Sequence, residues 1–381
     1  MGGGAAAVAP RFAAAAGVAA RPRAAAAAVA AAEPSLRWFS STPVALAKKK
    51  QAHMPRYLAR CAADLPANPA GVLGTFAVTI PTGTTAIAGD AFTKCKGLAQ
   101  VTLPASVTMI EAGDWVHFDE DDDEYDDEDG GGGEERGAFS GCLSLREIAL
   151  PPNLTEIGDD AFSKCTSLSE ITLPPNLTEI GGHAFEGCTS LSEVTLPPNL
   201  TKIGHSAFLE CTSLSEVTLP PNLTKIGWSA FYGCTSLSEI KLPPNLTQIG
   251  PGAFFECTSL SKITLPPNLT EIGGSAFYKC TSLSEITLPP NLTEIGVNAF
   301  YQCTSLSEIT LPPNLTEIGP YAFYDCTSLS KITLPPNLTE IGEAAFSGCT
   351  SLTEIILPVG PVDVGEDAFL RCPGTPRQPN D

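Results

Sequence analysis

Positive charge is scarce in this chain: 22 Lys and Arg stand against 42 Asp and Glu, a formal net charge of −20 over 381 residues. A nucleic-acid binder needs a basic face to displace counterions from phosphates, so nucleic acid is not expected as a partner. Basic proteins or metal cations suit the charge better. Long apolar runs are also missing. No stretch of 18 or more apolar residues occurs, and arginines and prolines interrupt the alanine-rich start, so no membrane-spanning helix is expected. Histidine is rare, with only His53, His117, His183 and His205. No C-x-x-C pair exists to seed a zinc site. No G-x-S-x-G, Walker-type phosphate loop or paired-carboxylate setting appears. Neither an enzyme nor a cofactor is expected from such a sequence.

What is abundant is repetition. A 23-residue unit, L-P-P-N-L-T-E-I-G-x-x-A-F-x-x-C-T-S-L-S-E-I-T, recurs with little change. Cysteines mark its period, falling every 23 residues from Cys142 to Cys372, and Cys95 belongs to the same series displaced by one insertion. Units begin at Ile80 and Leu103, and then every 23 residues from Leu150 to Leu357, which makes twelve with the last truncated. A fixed internal period of this length implies units that stack, because one unit is too small to bury its own apolar face.

Residues 165–187 show how one unit folds. Ile171 and Leu173 alternate with Thr172, so a short strand turns both apolar side chains inward and Thr172 outward. Pro174 and Pro175 end the strand, since proline has no N–H to donate. Asn176 is placed to bond backbone at the bend, and stacked copies make an asparagine ladder. Leu177 and Ile180 point inward again. Gly181 permits a positive φ where the chain turns. Ala184 and Phe185 follow on a short helical turn, with the ring in the core. Phe162, Phe185, Phe208 and Phe231 are thus core residues, as are Cys165, Cys188, Cys211 and Cys234, which act as small buried hydrophobes. Cys61 lies outside the repeat and is the cysteine expected to be exposed.

The run Ile157-Gly158-Asp159-Asp160-Ala161-Phe162-Ser163-Lys164-Cys165-Thr166-Ser167-Leu168-Ser169-Glu170-Ile171-Thr172-Leu173-Pro174 resembles the BspA-like, or Treponema-type, leucine-rich repeat, marked by I-G-x-x-A-F-x-x-C-x-x-L-x-x-I-x-L-P. The match covers residues 80–372. The resemblance implies a leucine-rich-repeat solenoid, a curved β/α horseshoe with parallel strands on one face and short helical turns opposite. It also implies a binding or adhesion protein, often at a cell surface. This chain carries no secretory signal of the usual kind.

Outside the repeat the composition changes. Residues 1–60 hold nine basic residues against one acid, Glu33, and alanine dominates the first half. This is the composition of an organelle presequence. Arg37-Trp38-Phe39-Ser40-Ser41 is similar to a mitochondrial processing site cut between residues 39 and 40. A plastid transit peptide and a plain Ala-rich leader are the alternatives, and a cell-surface or secreted location is what the family resemblance suggests. Gly2 does not make a myristoylation site, because Ala6 stands where Ser or Thr is wanted. Residues 61–79 are read as a linker and a half-repeat that opens the stack. An insertion at about 112–137 carries ten acids in the eleven residues Asp119–Asp129, a run that repels itself and buries nothing. The tail, 373–381, has no strand pattern.

The candidate binding face follows from the outward positions of the strands: Glu170, Thr172, Glu193, Thr195, Glu216, Thr218, Glu239, Lys241 and Lys262. Lys241, Lys262 and Lys331 interrupt otherwise uniform rows, which marks either a patch near the middle or relief of repulsion between stacked glutamates. Asp121, Asp122, Asp123, Glu124, Asp126 and Asp127 form a candidate dock for a basic protein partner. Calcium is not predicted there, because EF-hand spacing is missing. Trp228, Tyr232, Tyr278, Tyr301 and Tyr324 stand beside the core phenylalanines and are expected to cover its edge. His183 and His205 occupy variable positions of neighbouring units and are expected to be solvated rather than a metal pair. Nine Asn-Leu-Thr sequons, from Asn153 to Asn337, are read as structural asparagines at the bend. The function expected is a non-enzymatic protein-interaction scaffold, with a surface adhesion protein as the alternative.

Overall fold

In the computed structural model, residues 56–57, 75–113 and 137–377 are described. They lie in one compact unit, Lys49–Asp381. The alternation in E-I-T makes the first sheet: Ile171 is buried between exposed Glu170 and Thr172. Because every unit repeats this pattern, the strands pair parallel and in register. Glu147–Ala149 lies on Glu170–Thr172, Glu193–Thr195 on Glu216–Thr218, and Glu239–Lys241 on Lys262–Thr264. A 23-residue step therefore stacks identical side chains into columns. The series opens with Phe76–Thr79, paired to Leu98–Thr102.

A second parallel sheet runs beside the first. It is built from two-residue strands that are too short to be read from sequence. Glu156–Ile157, Glu179–Ile180 and Lys202–Ile203 pair in succession; the ladder breaks there, and the same series of short strands resumes as a further sheet from Lys225–Ile226 to Asp363–Val364. The first strand of the series is Arg56–Tyr57, paired with Ala86–Ile87, so the stack begins within the stretch read as leader. At the other end, the tail also differs from expectation. Pro376–Arg377 pairs with Ile355–Ile356, and the Leu357 N–H donates to the Arg377 carbonyl at 2.9 Å. A proline is tolerated there because it lies in the last strand of its sheet.

The segment expected to be a short helical turn is not helical, and no helix occurs among the described residues. Left-handed residues recur instead, at His183 (φ 52°) and Gly187 (φ 64°), and at the same two positions along the stack. A left-handed residue every fourth position prevents a right-handed helix. Its effect is to turn alternate N–H groups along the stack axis. The N–H groups of His183, Phe185 and Gly187 donate to the carbonyls of His205, Ala207 and Leu209 at 2.7–2.9 Å. The turn thus forms a third hydrogen-bonded column. Gly181 has a different role from the one its sequence position suggested. Its φ is not left-handed; a Cβ there would lie 2.5 Å from the Asp159 backbone N, so glycine is required by the close approach of successive turns.

The core fills the space between these columns. Twelve phenylalanines, from Phe92 to Phe369, stack face to face with centroids 5.1–5.7 Å apart and planes within 2–8°. Phe162, Phe185, Phe208 and Phe231 are fully buried, as are Cys165, Cys188, Cys211 and Cys234. Each of these thiols donates to the phenylalanine carbonyl of the preceding unit, for example Cys165 Sγ to Phe139 O at 3.1 Å. A buried S–H is therefore satisfied as well as packed. Cys95 departs from the thiol column because it is held in a disulfide.

Candidate interaction surface

All nine residues predicted for the strand face, from Glu170 to Lys262, are exposed on that face, Glu170 and Thr172 at the end of one sheet and the other seven on the next. Alternation along each strand puts them there, and the parallel register lines them up. Glu147, Glu170, Glu193, Glu216 and Glu239 occupy one position in five successive units, without a cation among them. Lys262 then reverses the sign. Its ammonium lies 3.4 Å from Glu285, and Lys331 lies 3.1 Å from Glu354. Glu239, Lys241 and Lys262 meet at a depression of about 360 Å³, floored by Ile240, Ile263 and Leu265 and edged by Pro244, Pro266 and Pro267. The structure thus gathers the midpoint residues that sequence reasoning singled out.

The second sheet carries a parallel row with the opposite distribution. Lys202 pairs with Glu179 at 2.6 Å near the start of the stack. Further on, Glu271, Glu294, Glu317, Glu340 and Asp363 lie in register with no cation between them. Burial, together with the charges of Glu317 and Glu271, raises the Glu294 carboxyl above its usual range. Beside the turns, the bend asparagines are exposed but engaged. Asn176 Nδ2 donates to the Pro152 carbonyl at 3.0 Å, and Asn199 repeats the contact with Pro175. The asparagine ladder is thus one of side chain to backbone, supported by Thr178 Oγ1 donating to Thr155 O at 3.1 Å.

A third column is aromatic. Tyr232, Phe255, Tyr278, Tyr301 and Tyr324 stack with centroids 4.3–4.9 Å apart and planes within 6–9°. They are half-buried, whereas Trp228 is 55% exposed. Phe255 was not singled out with the tyrosines. The signal for it lies down the column, at the same position of successive units, rather than along the chain. Two further residues, Asp160 and Glu186, were missed for the same reason. They converge on His183, with donor atoms of all three within 4.8 Å of one another. His183 Nδ1 lies 2.8 Å from Glu186 Oε2, and the His183 and Glu186 side chains are 30% and 22% exposed. The histidine is thus not the solvated residue expected. Burial works against its charged form, but the Glu186 carboxylate outweighs that and raises its pKa.

The thiols are chemically quiet. Burial pushes Cys142 and Cys257 up to about 12 and holds Cys165, Cys188, Cys211 and Cys234 well above the usual value. Cys372, half-exposed at the end of the column, is lowered by a hydrogen bond with Cys349. The acidic dock of Asp121, Asp122, Asp123, Glu124, Asp126 and Asp127 lies outside the described residues, as do Cys61, His53, His117 and the processing site. Among the described residues no helix is long and apolar enough to cross a membrane.

A family model of the BspA type leucine rich repeat region matches in six copies, over residues 75–114, 135–261 and 247–375. Solved structures agree. A leucine-rich repeat protein from Bacteroides ovatus is 28% identical, with 79% of this chain and 91% of that one covered and a TM-score of 0.52. A leucine rich cell surface protein from Faecalibacterium prausnitzii is 27% identical, with 81% and 89% covered and a TM-score of 0.51. No curated protein matches the chain.

Proposed function

The chain belongs to the BspA-type leucine-rich-repeat family, and from that premise we propose that it is a non-enzymatic scaffold that recognises a protein partner through its strand face. The observation that carries the reading is the uninterrupted row Glu147, Glu170, Glu193, Glu216 and Glu239, flanked by exposed Thr172, Thr195 and Thr218 and ending at the Glu239–Lys241–Lys262 depression. Stacked like charges repel in the free protein, and a basic partner relieves that repulsion. Such a partner is steered to the row and held by many weak contacts at once. The repeat scaffold supplies a surface rather than a reaction site, in keeping with the family.

The test is a combined Glu170→Gln, Glu193→Gln, Glu216→Gln variant, compared with the wild type by proximity labelling in the native cells and by salt-dependent retention of the labelled proteins. Loss of the salt-sensitive fraction is expected. An unchanged set of labelled proteins would remove the strand face from the proposal.

A surface-recognition reading is favoured by one observation, the similarity to the Faecalibacterium cell surface protein. The basic, acid-poor leader favours import into an organelle instead, with the mitochondrion first. Peptide mapping of the protein from its own cells separates the two. A mature start near Ser40 with bare Asn-Leu-Thr sites supports the organelle. Glycans on the exposed asparagines support the surface.

A further inference from the structure

At one place on the stack the variable positions gather metal-ligating side chains from neighbouring turns. Asp160 and His183 are the same position of successive units, both left-handed, with φ 54° and 52°. Their backbones are fixed by the turn column, Asp160 N to Gly182 O and His183 N to His205 O, each at 2.9 Å. Glu186, three residues on, reaches back to His183 Nδ1 at 2.8 Å. Asp160 is only 3% exposed. A fourth donor stands next to the group. The His205 ring packs edge-on to His183, with centroids 4.8 Å apart. It occupies the space above Gly182, where a Cβ would lie 2.5 Å from its Cε1. At the equivalent three positions, every other pair of neighbouring repeats holds at most one carboxylate or imidazole.

The geometry points to a binding site for a divalent transition-metal ion of the zinc class, held by the carboxylates of Asp160 and Glu186 and the imidazole of His183. The donor set selects the class. Zinc takes imidazole nitrogen and carboxylate oxygen at about 2.0–2.2 Å, which places tetrahedral donors about 3.3–3.6 Å apart. Donors now within 4.8 Å of one another reach that spacing by small side-chain rotations. Calcium and magnesium prefer shells made of oxygen alone, and copper(I) prefers sulfur. Bound metal ties the turn of Asp160 to the turn of His183, adding a cross-link between two repeats to the hydrogen bonds already there. His205 joins only by a larger rotation, so its contribution is the smaller one.

The neighbouring units supply substitutions that suit the backbone. Ser206 and Ser229 stand at the position of Asp160 and His183 with φ 52° and 50°, and Ser163 stands at the position of Glu186. The full chain, stripped with chelator, is titrated with Zn²⁺ by calorimetry, bound metal is counted by atomic emission, and Co²⁺ is used as a spectroscopic probe. The wild type is expected to hold one tight equivalent, with Co²⁺ absorption lacking a thiolate charge-transfer band. His183→Ser should weaken that equivalent by about a hundredfold or more, since even second-shell changes cost 10–100-fold, and His205→Ser by about tenfold. Glu186→Gln, nearly isosteric, repeats the test if His183→Ser lowers the melting temperature of the metal-free chain. The acidic run and the thiols are present in every form, so their binding is a common background. Equal stoichiometry and affinity in the wild type, His183→Ser and Glu186→Gln, or a thiolate band, would overturn the site.

Discussion

The two halves of the solenoid share one backbone and leave their acids uncompensated on different faces. On the strand face the row is all glutamate from Glu147 to Glu239, whereas beyond it Lys262 and Lys331 stand among the glutamates and pair with Glu285 and Glu354. On the second sheet the early half is mixed, through Lys202, Lys225 and Gln248, and the later half runs acidic from Glu271 to Asp363. Neither difference disturbs the core, since the Phe and Cys columns stay buried through both halves and open only at the last unit, at Phe369 and Cys372. The fixed positions hold the stack, and a few exposed positions are free to give each stretch its own charge. In a solenoid each unit touches only its neighbours, so such differences stay local.

The largest contrast lies between the ends of the cysteine column. Cys142 is pushed up to about 12 by burial, whereas Cys372 is lowered below its usual value and half-exposed. At neutral pH Cys372 should hold the larger thiolate fraction, and it is also the more accessible of the two. Timed maleimide labelling with peptide mapping should find Cys372 first and Cys142 silent; equal labelling would contradict the burial of the column.

Next in size is the core. Phe231→Ala, mid-stack and fully buried, should cost about 3–5 kcal/mol in denaturant unfolding. Phe369→Ala, at the half-buried end, should cost clearly less. Equal losses would mean that the stack does not depend on position in the way neighbour contacts require.

Charge edits are smaller. Lys262→Glu extends the acidic row into the later half and should destabilise by about 0.2–1 kcal/mol at low salt, because the pair it breaks is exposed. Glu193→Lys should do the reverse in the early half. Both effects should fade in high salt, and persistence there would point to packing instead.

The smallest effect is a pH dependence on the second sheet. Glu294 has its pKa raised in the folded chain, chiefly by burial and then by Glu317 and Glu271. An acid with a raised folded pKa favours folding when protonated, so its cost appears as pH rises through the carboxylate range and remains at pH 7. Glu294→Gln should therefore add stability at neutral pH and none at low pH, measured by melting temperature across that range. A gain of the same size at both pH values would assign the effect to shape rather than charge.

Much of this was legible in the chain itself. The 23-residue period, the inward Ile171 and Leu173 and the breaking Pro174 determine a stack of parallel strands with Phe and Cys inside, because each rests on side-chain polarity and the missing proline N–H. Exposure of Glu170, Thr172 and their copies follows from the same alternation. Tertiary structure alone decided the rest. The left-handed turns at His183 and Gly187, the two-residue second sheet and the closing strand at Pro376–Arg377 exist because backbone groups bond to the next unit. The meeting of Asp160, His183 and Glu186, like the aromatic column through Phe255, depends on register between turns. A period read along the chain states which residues repeat; only the packed stack brings those of neighbouring units within bonding distance.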